Sequence, residues 1–165
     1  FKSGHARCMA TQSSSMLKCP ETTTYKKKKK SAVHFNEKLF GLEQKFDLRS
    51  QEGGEQGGHT IEKHVGKDVA YLRGRSIPDA SSYPDLATAN AVTKEILMEN
   101  MNQIERWASV ADIGDSKSFH ANLGREIGYG LRRGDTTLTP RTNALVALKK
   151  MPDGSLKVVT SYPTE

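Results

Sequence analysis

Residues 143–162 read NALVALKKMPDGSLKVVTSY. Two runs of strand formers flank Pro152-Asp153-Gly154. That triplet is strong turn chemistry, because Pro fixes φ, Asp bonds back to its own backbone and Gly accepts a positive φ. The stretch is read as two antiparallel strands, 143–150 and 155–162. By period two, Leu156, Val158, Thr160 and Tyr162 share one face of the last strand, and Lys157, Val159 and Ser161 share the other. Two hydroxyls thus stand two residues apart on one surface, where they can bond one phosphate or orient a base. Thr and Tyr are also ordinary strand formers, so the pattern alone leaves both roles open.

Upstream, REIGYGLRRG (125–134) alternates Ile127, Tyr129 and Leu131 with Gly128, Gly130 and Arg132, which reads as a third strand. Before Gly114 the period is helical. Ala89, Val92, Ile96, Met101, Ile104, Trp107 and Ala108 predict one long helix running to about 109, with Ser82-Tyr83-Pro84-Asp85 in the form of a capping box. Earlier still, Ile61, Val65, Val69 and Leu72 form one apolar stripe, with Thr60 as N-cap and Gly74 as stop. Helices first and a small antiparallel sheet after them make an α+β domain, its N-terminal helices packed on one side of the sheet.

The chain has 165 residues, the size of one ordinary domain. Only 35% of residues are hydrophobic and the mean hydropathy is -0.64, which predicts a compact part plus a polar part. Residues 1–50 are assigned to a polar, lysine-rich leader with Lys26 to Lys30 in one run, and 33–48 to a short amphipathic helix weakened by Gly41. Four glycines in SQEGGEQGG (50–58) mark the boundary, and the folded domain is expected over 51–165. The start of the chain lacks the apolar core of a secretory signal and does not begin with Met, as the tail of a longer polypeptide would. No apolar run approaches the ~18 residues of a membrane span. Cys8 and Cys19 lie in the polar leader and imply no disulfide framework. With His5 they make three zinc ligands where a structural site wants four.

The net charge of +6 and pI near 9.3 favour an anionic partner, nucleic acid among them. Chemistry concentrates in GGHTIEKHVG, residues 57–66. At ~100° per residue, His64 falls about 60° from Ile61, at the margin of the buried stripe, where packing can hold an imidazole that still reaches a ligand. His59 precedes the helix on Gly57-Gly58, and Gly58-His59-Thr60 reads as a phosphate cradle at a helix N-terminus. The His59/His64 spacing puts the two rings roughly 140° apart on a helix, unlike the i, i+4 pair of HExxH, so a metal site is not expected. Arg75 carries a fork of donors suited to phosphate. In a continuous helix it would lie about 16 Å from His64, so sharing a ligand requires the chain to fold back.

The combination of GGHTIEKHVGK, Leu72 and Arg75, the SYPD helix start with Ile104 and Trp107, and the terminal VVTSYP resembles the bacterial RNase A-like toxin domain found at the C-terminal tips of contact-dependent growth inhibition proteins and other polymorphic toxins. The resemblance covers about residues 51–165. It implies an RNase A-like fold and metal-independent RNA cleavage without a cofactor. It places His64, Arg75, Thr160 and Tyr162 at the catalytic positions and His59 at the family's GGHT histidine. Gly58, Thr60 and Lys63 are expected to contact substrate. An acidic residue near GGHT is also implied, and Glu55 stands closest. The domain carries no cysteine, so the disulfides of vertebrate pancreatic RNases cannot form here.

The implied reaction is transphosphorylation, in which the ribose 2′-OH attacks its own 3′ phosphate. The Lys/Arg excess, with Arg125, Arg132, Arg133, Lys149 and Lys150, is expected to hold the RNA backbone. The resemblance further implies a monomer delivered from the secreted or cell-surface end of a larger protein, acting in the target-cell cytoplasm, with an acidic immunity protein in the producing cell. The alternative is a non-catalytic basic module that binds nucleic acid. An adaptor for an acidic protein and a metal-dependent nuclease are further rivals.

Overall fold

The computed structural model describes residues 35–165 except Gln56. The lysine run and the Cys8, Cys19 and His5 group lie outside the described residues. Four helices, α1 (Thr60–His64), α2 (Val69–Arg73), α3 (Leu86–Glu99) and α4 (Met101–Val110), come before most of the strands. Six strands follow the order β1 (Asp79–Ser82), β2 (Ser116–Asn122), β3 (Gly128–Arg132), β4 (Thr139–Arg141), β5 (Asn143–Lys150) and β6 (Leu156–Thr164). They form two antiparallel three-stranded sheets, β2-β5-β6 and β1-β3-β4, where one sheet was expected. The class is α+β, and all three strands read from the sequence are present.

The main core lies between α3 and the larger sheet. Val92, Ile96 and Leu97 of α3 meet Ala144, Val146 and Leu148 of β5, all essentially sealed from solvent. Burying each such side chain contributes about 1.5–3 kcal/mol. A smaller core of Leu72, Ala80 and Leu131 underlies the other sheet.

The expected long helix divides at Asn100, whose Nδ2 donates to the Ile96 carbonyl. Asn100 takes φ -102 and ψ 9, outside the helical region, while the buried stripe of Ile96, Leu97, Met101 and Ile104 runs on across the break. Its N-cap is Asp85, accepting from Thr88 N–H at 2.7 Å, while Ser82 ends β1. The expected continuous helix over 60–73 is also two helices. Val65 turns extended and bridges Tyr83, Gly66 takes φ +64, and Asp68 caps α2 by accepting from Tyr71 N–H.

The segment ahead of residue 51 is part of the packed unit. In place of the helix over 33–48 there are two 3-10 turns, Glu37–Phe40 and Leu48–Gln51. Phe35, Phe40 and Phe46 pack ring against ring at 5.4–5.9 Å and enter the main core with Leu48. The glycines after residue 50 serve a tight local turn, not a domain boundary. Gly53 and Gly58 bridge each other, and a Cβ on Gly58 would stand 1.9 Å from the Gln51 carbonyl oxygen.

Strand β6 carries a bulge. Leu148 faces Val158 but Ala147 faces Thr160, leaving Val159 as the extra residue. Val158, Ser161 and Pro163 therefore sit opposite the inward Leu148, Val146 and Ala144, whereas Thr160 and Tyr162 turn to the other surface. The expectation that Leu156, Val158, Thr160 and Tyr162 share one face fails at this single insertion.

Candidate active site

His64 is the last residue of α1 and is 5% exposed. Its backbone carbonyl accepts from Tyr83 N–H at 2.7 Å, and its ring Nδ1 lies 2.9 Å from the Ser81 carbonyl oxygen. A carbonyl only accepts, so Nδ1 carries the proton and Nε2 is the basic nitrogen of the neutral ring. Burial holds the imidazole down at about 4 against an ordinary 6.5, with the charges of Arg75, His59 and Lys63 pushing the same way and the Ser81 bond opposing them. At neutral pH the ring is uncharged. Sequence placed this histidine half in and half out, whereas the break after it folds Val65 onto Tyr83 and seals the residue in.

The Tyr162 ring stacks on His64, with centroids 4.9 Å apart and planes 25° from parallel. The His59 ring stands 6.3 Å from His64, centroid to centroid. His59 Nδ1 donates to the Gly57 carbonyl at 2.8 Å, again leaving Nε2 for chemistry. His59 N–H donates to the carbonyl of Val159, the bulge residue, at 3.0 Å. The bulge thus does two jobs: it corrects the register of β6 and ties α1 to it.

Thr160 and Arg75 share an unusual property. Thr160 Oγ1 and Arg75 Nη1 are buried and without a hydrogen-bond partner, the two such side-chain atoms among the described residues. Leaving a buried polar group unpaired costs about 1–3 kcal/mol, more for a charged one. Arg75 follows α2, and its charge is felt at His64. The break at 65–68 supplies the fold-back that a continuous helix would have denied it.

A polar network lies beneath these groups. Ser161 Oγ meets Tyr83 Oη and Thr93 Oγ1, each at 2.8 Å, and all three residues are buried. Ser161 N–H donates to Thr60 Oγ1 at 2.9 Å. Thr60 is buried at 1% exposure and its hydroxyl oxygen is turned to β6. The helix start expected as a phosphate cradle already holds a carboxylate. The first-turn amides of α1, Ile61 and Glu62, donate to the two carboxylate oxygens of Glu52 at 3.0 and 2.8 Å. Glu52, not Thr60, caps this helix. Gln51 adds a second tie, its Oε1 accepting from Val158 N–H at 3.0 Å. Gly58 serves the close approach of Gln51, and Lys63 remains beside His64, half-buried.

Of the cations expected to hold RNA, Lys150 is engaged otherwise, its Nζ donating to the Ala108 and Ala111 carbonyls at the end of α4. Arg125 pairs with Glu95 and Arg132 with Glu165. Among the described residues no three His, Cys, Asp or Glu side chains gather as a metal site requires.

The sequence pattern of the family described as "Bacterial CdiA-CT RNAse A domain" matches residues 58–163. Among solved structures the chain is similar to a CdiA-CT/CdiI complex from Y. kristensenii 33638, at 32% identity and a TM-score of 0.59, over 66% of this chain and 100% of that one. No curated protein sequence matches the chain. His59, His64, Arg75, Thr160 and Tyr162 all fall inside the matched span, and Gln51 and Glu52 fall outside it.

Proposed function

The chain belongs to the bacterial CdiA-CT RNase A domain family, and from that premise we propose that it is a toxin which cleaves RNA by 2′-OH transphosphorylation. The observation that carries the reading is the pair of orphaned buried atoms, Arg75 Nη1 and Thr160 Oγ1, on two of the residues expected to meet phosphate. A phosphoryl oxygen within reach of either atom would supply its missing partner. Such preorganised donors stabilise charge as it develops on phosphorus.

In this mechanism the neutral His64 takes the 2′-OH proton at Nε2. The 2′ oxygen attacks phosphorus, the P–O5′ bond breaks, and His59, entering the step with both ring nitrogens protonated, gives its Nε2 proton to the departing 5′ oxygen. The products are a 2′,3′-cyclic phosphate and a free 5′-hydroxyl. Tyr162 holds the His64 plane by stacking and presents its hydroxyl on the same surface as Thr160. Lys63 adds positive charge beside His64 for the substrate. A base held at about 4 is available throughout the neutral range but intrinsically weak, and a phosphate beside Arg75 would strengthen it by offsetting the guanidinium charge.

The solved relative is a complex with CdiI. By analogy the chain would be neutralised by an immunity protein, and its net charge of +6 favours an acidic one. Delivery as the tip of a larger surface protein and action in a target cytoplasm follow from the same analogy. No helix among the described residues is long and apolar enough to cross a membrane.

The test uses the full chain, since Phe35 to Leu48 belong to the core. It measures cleavage of RNA and of matched DNA with and without EDTA, beside His64→Ala. Cyclic-phosphate ends, inert DNA, indifference to EDTA and a loss of at least ~10²-fold in the variant are expected. RNA left intact across several substrates would transfer the site to a non-catalytic nucleic-acid-binding module.

A further inference from the structure

Arg75 also lines a cavity of about 220 Å³, between the end of α2, the link that follows it and the 132–135 turn. Leu72, Ile77 and Leu131 of the smaller core give it an apolar side. Arg73, Arg75 and Arg133 give it a cationic one. Arg132 also lines it but is paired with Glu165. Among the described residues Arg73, Arg75 and Arg133 make no ion pair. Asp135 is the one carboxylate in the lining, so positive charge dominates even there.

We propose that this cavity is a subsite for the nucleotide one step beyond the two joined by the scissile phosphate, its base laid on the apolar side and its phosphate held by Arg73 and Arg133. The proposal rests on the RNase reading. Arg75 joins the two sites, since it lines the cavity and its charge also acts on His64. The volume is below the roughly 300–1,000 Å³ of pockets for drug-sized ligands, which suits one base and not a folded oligonucleotide. The chemistry suits RNA as well. Single-stranded RNA is read by stacking its bases on flat side chains, and guanidinium planes both stack on bases and fork phosphate oxygens. A purely structural surface would have no reason to gather unpaired like charges around an apolar hollow.

The test is the double variant Arg73→Ala/Arg133→Ala in the full chain, with two substrates and one inert probe. A dinucleotide occupies the scissile position and little else, and a longer single-stranded RNA also fills the flanking subsite. Expected are dinucleotide cleavage within about twofold of wild type and a drop of roughly tenfold or more in kcat/KM on the longer RNA, as lost bidentate and phosphate contacts would give. Binding of a single-stranded DNA oligonucleotide, which lacks the 2′-OH and is not cut, should show a log K against log salt slope shallower by about 0.7 for the one phosphate no longer held. Equal losses on both substrates, or no loss on either, would overturn the subsite. The two readings fail separately. If wild type cuts no RNA yet the variant shows the shallower salt slope, the subsite stands without the nuclease. If wild type cuts RNA and the slope is unchanged, the nuclease stands without the subsite.

Discussion

The two halves of β6 differ in what they ask of their side chains. Before the bulge, Leu156 and Val158 are about 1% exposed and belong to the main core. After it, Thr160 carries an unpaired buried hydroxyl and Tyr162 stacks on an imidazole. The first half lowers the free energy of the fold and the second raises it. One strand can do both because the inserted Val159 lets the inward positions resume at Ser161, which anchors the second half from below through Tyr83, Thr93 and Thr60. A regular, well-packed element thus carries one unsatisfied hydroxyl, and the bulge is the joint between the two halves.

The largest effect separates the halves directly. Thr160→Val should lower RNA cleavage by about 10²–10³-fold, as removal of one preorganised donor does, while raising stability by up to about 1 kcal/mol because a stranded hydroxyl is gone. Leu156→Ala should do the reverse, costing about 2–5 kcal/mol in chemical denaturation with the rate per folded molecule kept. Equal activity of Thr160→Val and wild type would dissolve the contrast.

Acid should sharpen it next. Between pH 6.5 and about 4 the unfolded chain binds a proton at His64 that the folded chain refuses. The contribution of this group is complete above pH 6.5 and is lost as pH falls towards 4, on the order of 3 kcal/mol in all. Subtracting the urea-derived stability of His64→Gln from that of wild type across this range isolates it, and a flat difference would show the ring to be solvated.

The smallest effect is at the seam. Glu52→Gln weakens the cap on α1 and should cost about 1 kcal/mol in thermal unfolding. A larger cost to kcat than to KM would mark Glu52 as a positioning residue for His64 and His59.

Legibility in the sequence followed periodicity and separation along the chain. β3, β5 and β6 were readable because apolar side chains alternate in them. β1 was not, since DASS contains no large apolar residue and its burial comes from Ala80, Ser81 and Ser82 packing close. β2 has Phe119 as its one buried position, and β4 is three residues long. His64, Arg75, Thr160 and Tyr162 were visible as residue types at family positions. Their surroundings were not. The cap comes from Glu52, nine residues ahead of Ile61, and the bulge leaves no mark in LKVVTS (156–161), because Val158 and Val159 are equally apolar. The family pattern matches from Gly58, so it assigns no role to Gln51 or Glu52.

The three phenylalanines ahead of residue 51 have a practical bearing on how the chain can be cut. Lineage draws a border at residue 58, but cooperativity draws it at or before Phe35. A fragment trimmed to the inherited border would lose Phe35, Phe40, Phe46 and Leu48 together. It would keep every residue of the reaction while leaving a greasy hollow where those rings had been. Such a fragment is the form most prone to clump during purification, and silence from it in an assay would report on its solubility, not on its chemistry.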